Sequence, residues 1–319
     1  MMRRIFILFP LLLLGGKVIS QPVDSLVTTA SLKEHITALA HDTMKGRLTT
    51  SRELYNAAVY IEKEFKEAGL KPVRGNSGYF WKYYHSGKTG VPGVAANVMG
   101  EIPGDTNKLV IFSAHFDHIG TTRRGIFQGA QVSNGPDSIY NGANDNASGV
   151  AALIELARYY NARKTNEYTV LFIAFSGEEA GLTGSQLFAR QINRSKLLTV
   201  VNMEMLGRPA RELGGEPLIT GIETNNIRKQ LNRNLFAADK SYGRNFFHND
   251  PFTRESLAFR GDHASFFFTK GLVSFMIMGS SPNDPYYHST GDEAGTIDFA
   301  FLHRMVKAIA LACEPLLRK

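Results

Sequence analysis

The sequence predicts an α/β chain: a mostly parallel, mixed β-sheet flanked by helices on both faces, built as a single domain. Three observations lead there. Continuous apolar runs at 109–114, 168–175, 198–203 and 272–278 alternate with stretches of helical spacing. Unbroken apolar runs mark strands covered on both faces, the habit of parallel sheets. Hydrophobic residues make up 43% of the chain and charged residues 20%, which excludes a disordered, collagen-like or coiled-coil protein. The 319 residues suffice for one large core, since a chain of roughly 300 residues buries about three quarters of its unfolded surface.

Residues 1–20, MMRRIFILFPLLLLGGKVIS, read as a secretory signal peptide. Arg3 and Arg4 form a basic start, an apolar run follows at 5–14, and small residues precede Gln21. The run is short of the ~20 residues that span a bilayer; an uncleaved N-terminal anchor is the alternative. Without Arg3, Arg4 and Lys17 the chain keeps 33 basic against 29 acidic residues, a net charge of +4. Lys and Arg are scattered, so no nucleic-acid partner is expected. No second apolar stretch approaches the length of a membrane span, so no stable membrane insertion is expected after cleavage. The expected location is secreted or periplasmic. The sequence carries no signal for oligomeric state. The single cysteine, Cys313, excludes an intramolecular disulfide and a cysteine-based metal site, so any metal must be held by His, Asp and Glu.

Helices are expected at 31–40 and 52–69. In the second, Ala57, Ile61, Phe65 and Leu70 recur near helical spacing and Gly69 marks the end. A turn-rich stretch at 74–78 precedes strands at 94–98 and 109–114. A long loop then runs over 120–145, followed by a helix at 147–160, a strand at 168–175, a helix around 185–192 and a strand at 198–203. A strand at 218–220, a helix at 225–237, a strand at 272–278 and a helix at 297–316 complete the pattern. In such sheets ligands bind beyond the carboxyl ends of the strands.

Polar residues gather at those ends. His115 and Asp117 in AHFDH share one face of a strand; they suit a metal ligand with its orienting carboxylate, or a structural histidine. Asp145 in NGANDNASG is either a helix N-cap or a ligand. Glu178 and Glu179 in FSGEEAG are either a solvated pair or a ligand beside a group that activates water. Glu204 in NMEM either pairs with Arg208 in the interior or binds a metal, and His288 lies in a loop before the last helix. Together His115, Asp145, Glu179, Glu204 and His288 would suit two zinc ions about 3.5–4 Å apart.

The chain resembles the M28 family of dizinc aminopeptidases. The motifs that carry the resemblance are AHFDH at 114–118, NGANDNASG at 141–149, FSGEEAGLTGS at 175–185, NMEM at 202–205 and HSTGD at 288–292. HDTMKGR at 41–47 and AAVYIEKEFKEAGLKP at 57–72 resemble the family's N-terminal helices. The resemblance implies a zinc-dependent exopeptidase fold over 21–319 and peptide substrates with a free N-terminus. It implies that His115 and Glu204 hold one zinc, Glu179 and His288 the other, and that Asp145 bridges both, with a hydroxide between the metals. Glu178 would be the general base and Asp117 would orient His115. The Asp145–Asn146 peptide bond is expected to be cis. Position 204 is Glu where many relatives carry Asp. Asp262 and His263 in GDHASFF, with Tyr286 and Asp292, are expected on the substrate side or behind the ligands; for Asp262 an N-cap is the alternative. Tyr79, Trp81, Phe246, Phe247, Phe252 and Tyr286 either line a pocket or sit in the core. The loops at 120–140 and 241–262 are placed to cover the site. The same fold serves glutaminyl cyclases, carboxypeptidases and dipeptidases. A cyclase needs only one zinc, and a binding module would show a lost ligand or base.

Overall fold

A computed structural model describes residues 22–87, 91–122, 130–131, 136–222 and 224–319. The expected signal peptide and parts of the 120–140 loop lie outside them. The chain opens with α1 (Val23–Leu26), α2 (Thr29–Leu39) and α3 (Arg52–Glu67), then β1 (Phe80–His85), β2 (Gly93–Ile102) and β3 (Leu109–His115). There follow α4 (Gly149–Arg163), β4 (Thr169–Phe175), α5 (Thr183–Gln191), β5 (Leu197–Glu204), β6 (Leu218–Gly221) and α6 (Asn225–Ala238). The order closes with β7 (His248–Asn249), α7 (His263–Lys270), β8 (Ser274–Met278) and α8 (Phe299–Cys313).

The strands form one sheet in the order β1-β2-β4-β3-β5-β8-β6-β7. The central four, β4, β3, β5 and β8, run parallel. Antiparallel pairs appear where β1, β2 and β6 join, so the sheet is mixed and mostly parallel, as expected. The central strands therefore end at the same edge, and the predicted polar residues arrive there together.

Alternation along β3 explains the two covered faces. Val110, Phe112 and Ala114 point into a large cluster with α2, α3, α4 and α8. Ile111 points the other way, into a smaller cluster with Phe188 of α5 and Phe266 of α7. Phe112 stacks on Phe172 at 5.7 Å and meets Tyr160 at 5.3 Å. Helix boundaries fall within a few residues of expectation. Ser51 caps α3 through the Leu54 amide, and Asp298 caps α8 through the Phe301 amide, as short polar residues do at helix starts. The HDTMKGR motif is not an ordinary helix: Asp42–Arg47 is a 3-10 segment with Lys45 and Gly46 in left-handed conformations. The strand β1, rich in Tyr and Trp, was not foreseen; its pairing with β2 decides its state. Among the described residues no helix is long and apolar enough to cross a membrane.

Because Phe112 contacts partners from both β4 and α4, Phe112→Ala should cost about 3–5 kcal/mol. Denaturant unfolding of the chelator-treated protein measures this, and a loss below about 1 kcal/mol would contradict close packing on that face.

Candidate metal centre

His115 is the last residue of β3, Glu204 the last of β5, and Glu178 and Glu179 follow β4 by a turn through Gly177, at φ 76°. Asp145 lies in the loop before α4, and His288 follows β8. The structure brings these groups together. His115 Nε2 lies 3.2 Å from Asp145 Oδ1 and 3.0 Å from Glu204 Oε1. His288 Nε2 lies 3.3 Å from Asp145 Oδ2 and 3.2 Å from Glu179 Oε2. The two oxygens of Asp145 thus face different imidazoles.

The loop carrying Asp145 is held by its own sequence. Asp145 does not cap α4: the residue before the helix is Ser148, and the first helical amide, that of Gly149, is taken by Asn146. Its amide and that of Asn144 donate to Asp292. Asn146 donates to the Met203 carbonyl and accepts from the Met205 and Gly149 amides. Asn144 accepts from the Gly207 amide. The asparagines on either side of Asp145 therefore stitch its loop to the end of β5. Gly142, at φ 58°, has Asp145 O only 2.3 Å from where a Cβ would stand, so the turn admits glycine alone. The Asp145–Asn146 peptide bond is cis, as the resemblance implies.

The structure decides between several of the readings left open above. Arg208 does not pair with Glu204: it bonds Asp284 at 2.7 Å and Asp292 at 2.8 Å. Asp117 acts on His115 mainly through its main-chain carbonyl, which accepts from His115 Nδ1 at 3.0 Å. Its carboxylate, 3.8 Å from that nitrogen, instead accepts from the Glu178 amide and the Thr49 hydroxyl. Tyr286 lies under Arg208 at 5.1 Å and does not line the cleft. Its neighbour Tyr287 lines the cleft and stacks on His288 at 3.9 Å. Tyr79, Phe246 and Phe247 belong to the core. Trp81 packs on Phe188, and Phe252 packs against the cluster around Met276. Asp262 begins α7 without capping it. Of the two long loops, 241–262 supplies Leu257, Arg260 and Gly261 to the cleft. From the other, Gln131 bonds the Tyr287 and His288 carbonyls.

His118 went unassigned in the sequence, although it closes the AHFDH motif. Its Nδ1 donates to Glu179 Oε1 at 2.8 Å and lies 3.8 Å from Asp145 Oδ2.

The electrostatics follow from crowding. Asp117, Asp145, Glu204 and Asp262 are buried, and Glu178 and Glu179 are half-buried. Burial pushes the Glu178 carboxyl well above its ordinary value, with Glu179, Glu204 and Asp262 reinforcing this against His115. Burial likewise raises Glu204, against His115, and pushes Asp262 up to about 7. Burial would raise Asp145 and Glu179 too, but the histidines prevail: Asp145 stays well below the carboxylate range and Glu179 is lowered to about 2. His288 is raised to about 11 against the effect of burial, mainly by Glu179 and Asp145.

This donor set fits zinc. The ligand atoms of His115, Asp145 and Glu204 lie within 4.8 Å of one another, as do those of His118, Asp145 and Glu179. All are imidazole nitrogens or carboxylate oxygens, the ligands zinc accepts. The carboxylates outnumber the imidazoles, a surplus of buried negative charge that a cation would offset.

A model of peptidase family M28 matches residues 97–313. The chain belongs to that family. A probable zinc metalloprotease of Phaeosphaeria nodorum is 26% identical over 317 aligned residues, covering 84% of this chain and 62% of its relative. A probable leucine aminopeptidase of Arthroderma otae is 26% identical over 224 residues, covering 67% and 55%. The chain thus spans little more than half the length of these relatives. Among solved structures, an aminopeptidase from an Aneurinibacillus strain superposes with TM-score 0.65 at 18% identity, covering 93% of this chain and 95% of the other. The glutaminyl cyclase of Porphyromonas gingivalis superposes with TM-score 0.70 at 16% identity, covering 91% and 99%. Both share the fold.

His263 gives a pH prediction. Burial holds its imidazole down at about 4, against the Ala258 carbonyl. A histidine whose folded value is lowered from 6.5 contributes full stability above pH 6.5 and loses it as pH falls toward 4. Asp262, raised to about 7, acts in the opposite sense: its destabilising effect grows as pH rises from about 4 to 7. The two nearly cancel in the unaltered protein. Relative to it, chelator-treated His263→Gln should therefore gain about 3 kcal/mol between pH 7 and pH 4. Denaturant midpoints of the two proteins across that range give the difference, and parallel curves would count against a buried neutral imidazole.

Proposed function

We propose that the protein is a two-zinc aminopeptidase, secreted or periplasmic, that removes the N-terminal residue of peptides. The observation that carries this reading is the division of Asp145 between His115 and His288. In this reading His115 and Glu204 would hold one ion, Glu179 and His288 the other, and Asp145 would serve both. His288 rather than His118 is assigned to the second ion because its Nε2 meets Asp145 and Glu179 equally. His118, by donating to Glu179, fixes that carboxylate's orientation, and the Asp117 carbonyl fixes the ring of His115 with Nε2 toward the centre. The chain 21–319 is read as one peptidase domain.

Zinc, when bound, would polarise the scissile carbonyl and lower the pKa of water. Glu178, its backbone pinned by Asp117, takes the water's proton and hands it to the leaving amine. Carboxylates at the cleft floor suit a free α-ammonium group. Met205, Leu257, Met276 and Met278 form an apolar wall of the cleft, which favours an apolar N-terminal side chain. Glutaminyl cyclisation is the second reading, supported by the shared fold; it would need one ion and not the full two-ion ligand set.

The test is a peptide library varied at its N-terminus, read by mass spectrometry with and without chelator. Chelator-sensitive loss of one N-terminal residue, apolar residues first, is expected. Loss of ammonia from N-terminal Gln peptides would establish the cyclase instead, and shortening from the C-terminus would reverse the polarity. Glu178→Gln should keep its zinc while turnover falls ~10²–10⁴-fold; retained turnover refutes the assignment of the base.

A further inference from the structure

Arg47 takes no part in the reading above, yet it is among the largest fully buried side chains, at 1% exposure. A buried guanidinium ordinarily pairs with a carboxylate. Among the described residues, the four hydrogen bonds of Arg47 all end on main-chain carbonyls. Nε donates to Phe116 at 2.7 Å, Nη1 to Leu39 at 2.7 Å and Asn141 at 2.6 Å, and Nη2 to Gly142 at 3.0 Å. Phe116 lies between His115 and Asp117, and Asn141 and Gly142 lead into Asp145. One planar group thus clasps the end of β3, the Asp145 loop and the end of α2.

The chain bends sharply to deliver it. Lys45, Gly46 and Arg47 all have left-handed φ, at 41°, 66° and 44°. Gly46 passes so close to the loop that a Cβ would stand 2.2 Å from the Gly120 carbonyl oxygen. Left-handed non-glycine residues are disfavoured and persist where surrounding structure over-determines them. Here the surroundings are the same exit of β3: the His118 amide donates to Arg47 O and the Gly120 amide to Gly46 O. The nearest strong fields on the guanidinium come from Asp145, Asp292, Asp117 and Glu179, so its charge also faces the carboxylate surplus of the centre.

We propose that Arg47 is a positioning residue for the metal centre: it sets the separation of the His115 and Asp145 segments. The proposal rests on the two-zinc reading. Lysine cannot replace it, because a single ammonium does not span three segments as the fixed fork of a guanidinium does.

The test compares Arg47→Lys and Arg47→Met with Arg158→Met. Arg158 is also partly buried and pairs with Glu64 and Glu155, but it sits further along α4, away from the centre. Zinc dissociation constants come from competition with a chelator of known affinity, and Tm from the apo proteins. Both Arg47 variants should bind zinc 10–100-fold more weakly, while Arg158→Met lowers Tm and leaves zinc affinity unchanged. Arg47 variants that lose only Tm, with unaltered zinc affinity, overturn the proposal. Should they fail to fold, hydrogen exchange of the unaltered protein decides. Zinc should slow exchange across 39–48, a segment without a ligand; protection confined to the ligand segments overturns the proposal. An unaltered protein that takes up no zinc overturns the two-zinc reading itself.

Discussion

Asp145 offers one carboxylate oxygen to His115 and the other to His288, at 3% exposure. A carboxylate in that position has given up its water, and Glu179, Glu204, Glu178, Asp117 and Asp262 stand around it. Like charges in a low-dielectric setting repel strongly. Such a cluster persists only when rigid backbone carries each member and cations face it. The surrounding structure meets both conditions. Asp292 holds the amides of Asn144 and Asp145, Arg208 neutralises Asp292, and the asparagines fasten the loop to β5. Removing any one of these leaves a buried polar group unpaired, which costs about 1–3 kcal/mol.

The parallel sheet makes the cluster possible. The four central strands end together, so residues far apart in sequence meet without long side chains. The helix α4 begins at Gly149, just after the Asp145 loop, which turns the positive end of its dipole toward the same edge. The apolar clusters on both faces keep the strands in register. The core thus fixes the relative positions of groups that would otherwise move apart.

What was legible in the sequence was local. Continuous apolar runs identified the central strands, and their polar ends identified His115, Glu178, Glu179 and Glu204, because those residues follow their strands directly. Motif order, rather than any single residue, tied Asp145 and His288 to them. What was not legible depended on distant chain. Nothing near Asp117 signals that Thr49, 68 residues away, takes its carboxylate. Nothing near Glu204 signals that Arg208 turns to Asp284 and Asp292. Tyr286 and Tyr287 are adjacent aromatics, and only the turn at 284–289 decides which one faces the cleft. Nothing near Arg47 signals that its guanidinium ends on four main-chain carbonyls of separate segments.

Fold alone does not select the chemistry. An aminopeptidase and a glutaminyl cyclase superpose on this chain about equally, at TM-scores of 0.65 and 0.70. The sheet that gathers the ligands is therefore common to hydrolysis and cyclisation, and the choice falls to a few side chains at its edge. Here the half of the centre built on His115 and Glu204 is as firmly made as the half built on Glu179 and His288. His115 is oriented by the Asp117 carbonyl, and Ser113 and Asn202, bonded to each other at 2.8 Å, brace the two strands behind it. In the two-metal reading we propose, that half has a task that a one-metal reaction would not give it. Two built halves sharing one carboxylate beside an apolar wall are what lead us to propose two-metal hydrolysis at a peptide's N-terminus over cyclisation.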